Sequence, residues 1–72
     1  MPYVNVRIAK GNVTAEQKRE VIKKITDVLF DVLGKPKPST YVVIDEVDTD
    51  NWGIAGETVT SLRQRVPAKA PT

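Results

Sequence analysis

The chain contains neither cysteine nor histidine among its 72 residues. Disulfide staples, zinc-finger spacing, thiol nucleophiles and histidine-based triads are therefore excluded within it. Aromatic residues are scarce: one Trp, one Phe and two Tyr. No apolar run approaches the ~18 residues that a membrane span needs. Near the start, Asn5, Arg7 and Lys10 interrupt what would have to be the apolar core of a signal peptide. The expectation is a soluble, cytoplasmic protein with no membrane partner. Charge of neither sign dominates, since the net charge is +2 and acidic and basic residues are interleaved. No Lys/Arg cluster marks a phosphate-tracking surface, so no nucleic-acid partner is expected. A mildly basic chain remains compatible with a small anionic molecule.

At this length the chain is a single domain at most. Such a domain buries only roughly 60% of its unfolded surface. Small chains recover the deficit through disulfides, metals or oligomerisation. Without Cys or His, self-association is the remaining route.

What is present reads as strand, helix, strand. In Tyr3 to Ala9 the residues alternate, with Val4, Val6 and Ile8 on one face and Tyr3, Asn5 and Arg7 on the other. Lys10, Gly11 and Asn12 break the pattern. Thr14 and Gln17 form a capping box of the Thr-x-x-Gln type. Val21, Ile22, Ile25, Val28, Leu29, Val32 and Leu33 then recur at three- and four-residue spacing, which predicts a helix over Ala15 to Leu33. Gly34 suits its left-handed end, and Pro36 follows as a stop. Phe30 lies off the stripe and reads as a subunit contact. Lys35 to Pro38 reads as an extended linker.

Tyr41 to Val47 is a second strand with apolar residues on both faces, as expected of a strand covered on two sides. The crossover should be right-handed and the strands parallel. Two strands and one helix cannot cover both faces of a sheet, so the second face should meet another copy. The glycines of Asn51 to Gly56 suit a tight hairpin or reversal. Thr58 to Leu62 reads as a short strand or turn. Residues 1–65 are taken as the folded α+β domain. The Pro-rich tail over 66–72 is expected to be disordered or to lie across a neighbouring subunit.

Pro2 carries the most chemistry. Proline offers a secondary amine only when it begins a chain, and a small second residue favours removal of Met1. A free amine at the start of a buried strand can serve as a general base near neutral pH. With Met1 retained, the Pro2 nitrogen is an amide without basicity.

Taken together, these residues resemble the tautomerase superfamily in its short-chain, 4-oxalocrotonate tautomerase branch. The resemblance rests on the N-terminal Pro2-Tyr3-Val4 strand, Gly11, the helix start at Thr14 to Lys18 and the turn at Gly34. It rests also on Val43 to Glu46 and on Asn51 to Glu57, and it covers roughly residues 2 to 63. It implies a βαβ unit with a C-terminal hairpin that pairs into dimers, three of which form a homohexamer. It also implies an isomerase without cofactor or metal, acting on an enol or keto acid in the breakdown of aromatic compounds. Pro2 would be the general base. Burial and nearby cations would lower its pKa from the roughly 7.7 to 8 of an ordinary α-amino group.

Trp52 matches a family aromatic that walls the pocket, and it equally suits a hairpin anchor. Two arginines of the best-known members, one after the first-strand glycine and one opening the second strand, correspond here to Asn12 and Tyr41. Neither offers a charged fork for a carboxylate, although the Asn12 amide and the Tyr41 phenol can donate hydrogen bonds. Positive charge would come from Lys10, Arg7, Arg63 or Arg65 of the same or another subunit. Arg7 reads first as a solvated or interface ion-pair partner, and Arg63 as an assembly residue first and a substrate contact second. The missing arginines argue against a dicarboxylate and for a monocarboxylate or aryl-substituted substrate. Two other readings follow from the same residues. One is a hydratase or dehalogenase in which Glu46 or Asp45 activates water. The other is a non-catalytic subunit of a mixed oligomer.

Overall fold

A computed structural model describes residues 1–65; the expectations for residues 66–72 lie outside the described residues. In chain order the elements are β1 (Tyr3–Ala9), α1 (Ala15–Leu33), a 3₁₀ turn at Lys37–Ser39 and β2 (Tyr41–Val47). A second 3₁₀ turn at Thr49–Asn51, β3 (Gly53–Ile54), β4 (Glu57–Thr58) and α2 (Val59–Arg65) follow. This is an α+β fold: a βαβ unit with a C-terminal hairpin. β1 and β2 form one two-stranded sheet, and β3 and β4 form another.

Contacts divide the chain into two compact units. Met1–Val6 and Asn12–Asp45 form the first, and Arg7–Gly11 with residues 46–65 forms the second. In the first, the Tyr41 N–H donates to the Pro2 carbonyl at 2.9 Å. α1 begins as its sequence dictates. The Thr14 hydroxyl accepts from the Gln17 N–H at 3.0 Å, and the Gln17 side chain accepts from the Thr14 N–H at 2.9 Å. Gly34 ends it at φ 68°, a conformation that glycine adopts without a Cβ clash.

Val4, Val6, Val42 and Ile44 are half-buried while Tyr3, Asn5, Tyr41 and Val43 are exposed, so the period of two separates a covered sheet face from an open one. Of the helical stripe, Ile25 and Leu29 are half-buried, but Val28 is 56%, Val32 74% and Leu33 60% exposed. Two strands give a sheet only about 10 Å wide, too narrow to cover a 100° helical stripe. The linker expected to be extended instead closes a 3₁₀ turn after Pro36, through Ser39 N–H to Pro36 O and Thr40 N–H to Lys37 O, both 3.2 Å. Pro38 fits there because an early position in such a turn needs no donor.

In the second unit, the Lys10 N–H donates to the Val47 carbonyl at 2.8 Å. β3 pairs antiparallel with β4, with Gly53 opposite Thr58 and Ile54 opposite Glu57. Ala55 (φ 53°) and Gly56 (φ 86°) make the turn, so the expected hairpin is present. The short strand or turn expected over Thr58 to Leu62 is a correction. Only Thr58 is strand, and Val59–Arg65 is helical. The Thr58 hydroxyl accepts the Ser61 N–H at 3.1 Å, which is N-cap geometry and outweighs the β-branched composition. Val59, 5% exposed, is the one buried apolar residue among those described.

Candidate active site

Pro2 stands immediately before β1 and is half-buried, while Met1 projects into solvent. The bond from Tyr41 N–H to the Pro2 carbonyl fixes the proline at the head of the sheet and places the first residue of β2 beside it. Tyr41 itself is 54% exposed. Asn12 belongs to the same unit and is exposed. In that unit Asp45 accepts from the Asn5 amide at 3.0 Å, so this carboxylate is already engaged by a neighbouring strand residue.

The remaining candidates lie in the second unit. Arg7 and Lys10 are exposed. Trp52 is half-buried and extended, and its carbonyl accepts the Val59 N–H at 2.8 Å. The indole-bearing residue is thus tied to the first turn of α2, beside the best-buried residue of the unit. Thr49 and Thr60 hydroxyls lie 2.6 Å apart, and Thr60 donates to Asp50 at 2.5 Å, which pins the 3₁₀ turn before Trp52 to α2.

A contact absent from the sequence reading concerns Arg63. Its Nη1 donates to the Lys10 carbonyl at 2.6 Å. The guanidinium lies against Gly11, where a Cβ would stand 3.6 Å from one terminal nitrogen and 3.7 Å from the other. The Nε of Arg63 is buried without a hydrogen-bond partner. Arg65, two residues on, instead pairs with Glu57. The structure therefore joins Pro2 with Tyr41, and Lys10 with Arg63.

An N-terminal proline strand, a capped 19-residue crossover helix, a parallel partner strand and a glycine hairpin bearing tryptophan define a class. The chain belongs to the tautomerase family: the model of the family described as tautomerase enzyme matches residues 2–62. It is an isomerase of the 4-oxalocrotonate tautomerase-like kind, acting on a small molecule. Probable tautomerase K2 of Dickeya dadantii (strain 3937) is 58% identical to it over 65 residues, covering 90% of this chain and 97% of the relative. The crystal structure of DmpI from Helicobacter pylori superposes with a TM-score of 0.78 at 43% identity, covering 88% of this chain and 97% of that one. A structure from a study of the 4-oxalocrotonate tautomerase isozymes of Methylibium petroleiphilum superposes at 0.77 with 38% identity, covering 85% and 97%.

Proposed function

We propose that the chain catalyses keto–enol tautomerisation of a small enol or keto acid bearing a single carboxylate, with the amine of Pro2 as general base after Met1 is removed. The neutral amine takes a proton from the substrate and leaves a conjugated enolate. The resulting ammonium returns that proton at another atom of the same conjugated system, so no co-reactant is consumed. The observation that carries the reading is the position of Pro2 at the head of β1, its carbonyl held by the Tyr41 N–H.

The other roles follow from side-chain chemistry. Tyr41 and Asn12 donate hydrogen bonds to substrate oxygens. Lys10 and Arg7 are the cations proposed to supply positive charge to the carboxylate. Trp52 supplies an apolar wall, which strengthens these interactions by lowering the local dielectric. Neutral groups at positions 12 and 41 offer no charged fork at either place, which favours a substrate with one carboxylate over a dicarboxylate.

The assembly belongs to the same reading. Exposed Tyr3, Tyr41 and Val43 on the open sheet face, with Val28, Val32 and Leu33 on α1, are apolar surface that a second copy would cover. A cytoplasmic homohexamer, a trimer of dimers, is the proposed form. Among the described residues no helix is long and apolar enough to cross a membrane.

The test is turnover of enol acids by Pro2→Ala. A general base contributes about 10²- to 10⁴-fold. A loss of that size in kcat/KM, with the oligomer intact, is expected. Unchanged turnover removes Pro2 from the chemistry.

A further inference from the structure

We infer that Arg63 is a positioning residue that holds the Lys10 peptide, and with it the Lys10 side chain, in the orientation that receives the substrate carboxylate. The inference rests on the proposed role of Lys10 as a substrate-binding cation. All the groups it uses lie within the second unit.

The Lys10 peptide is gripped from both sides. Its N–H donates to Val47 at 2.8 Å, as the last rung after β1. Its carbonyl accepts from Arg63 Nη1 at 2.6 Å. The first bond sets where the strand ends. The second holds the following peptide plane, and with the peptides on both sides held the Lys10 backbone, and hence its Cα–Cβ bond, keeps one direction. The bond is charge-assisted and short, hence among the stronger kinds. The guanidinium passes beside residue 11, where even a Cβ would meet its terminal nitrogens only at ordinary contact distance, 3.6 and 3.7 Å.

A purely structural contact does not account well for this arginine. Its Nε is taken out of water with no partner, a cost not recovered by pairing with a carboxylate among the described residues. Arg65, nearby on the same helix, pairs with Glu57 instead. What the half-buried arginine obtains in exchange is one hydrogen bond to the residue that carries a proposed binding cation.

The test uses the assembled protein and the enol form of phenylpyruvate. Arg63→Ala is expected to raise KM about tenfold, the size of one charge-assisted hydrogen bond. It should leave kcat within about twofold, because binding and not proton transfer is affected. Arg63→Gln keeps an N–H for the carbonyl without the charge, and should restore KM to within about threefold of the parent. In a Lys10→Met background, Arg63→Ala should add nothing further, since the group it positions is gone.

An unchanged KM in Arg63→Ala, with KM raised in Lys10→Met, overturns the inference and leaves the role of Lys10 standing. A tenfold rise in Arg63→Gln also overturns it, because the charge would then act directly. An unchanged KM in Lys10→Met removes the role of Lys10 itself. Should Arg63→Ala fail to assemble, Arg63→Gln and the Lys10→Met pair carry the decision.

Discussion

At the scale of single residues, Ala55 shows where this backbone is strained. Both central positions of the β3–β4 turn have positive φ, 53° at Ala55 and 86° at Gly56. That is the pattern of the type I′ hairpin, which favours Asn-Gly. A left-handed alanine costs roughly 1–2 kcal/mol, whereas asparagine tolerates the region. Ala55→Asn is therefore expected to stabilise the protein by about 1 kcal/mol, raising a thermal midpoint by about 4–8 °C. A calorimetric melt measures this, and an unchanged or lowered midpoint contradicts it. The residue scale is also where the sequence was least legible. From the sequence Arg63 reads as an assembly residue, and only folding brings it to the Lys10 carbonyl, 53 positions away in sequence. No local spacing encodes a bond between a side chain and a distant backbone oxygen.

The elements were far more legible, because each rests on local chemistry. Alternation marked β1, and the capping box with Gly34 marked both ends of α1. α2 was missed because Val59 and Thr60 favour strands, and its one signal, Thr58 capping Ser61, is common in turns. Thr14→Ala should cost about 1 kcal/mol by removing the cap. A denaturant titration reads this as a lowered midpoint with an unchanged slope.

α1 also carries a pH-dependent feature. Asp27 accepts from Lys23 at 2.8 Å and pairs with Lys37 at 3.1 Å. The Lys23 bond first, and then Lys37, holds its carboxyl below the ordinary value of 3.8. A depressed carboxylate pKa gives stability that is complete above the unfolded value and is lost as pH falls through the folded one. Asp27→Asn should therefore lower the thermal midpoint near neutrality, and the difference from the parent should vanish in strong acid. The effect is small, since these charges are solvated. A difference that persists at the lowest pH contradicts the ion-pair origin. Lys37 also lies 5.0 Å from the centre of the Phe30 ring, so the same cation covers the aromatic expected at a subunit contact.

The molecule as a whole explains why so regular a sequence covers so little of its own apolar surface. The helical stripe was written for more partners than a two-stranded sheet provides, and β2 has apolar residues on both faces. Val43, 40% exposed on the open sheet face, is the simplest probe. Val43→Lys would place a charge where a second copy is expected to pack. Sedimentation velocity should show the parent as an oligomer and the variant as smaller species; an unaltered size would take this face out of the assembly.

The central claim, that Pro2 works as a free amine, is tested most directly by ¹⁵N NMR titration of the Pro2 nitrogen in the assembled protein. A nitrogen that titrates at or below the roughly 7.7–8.0 of an ordinary α-amino group is the predicted result. A Pro2 nitrogen that does not titrate, because it remains an amide behind Met1, would contradict the account.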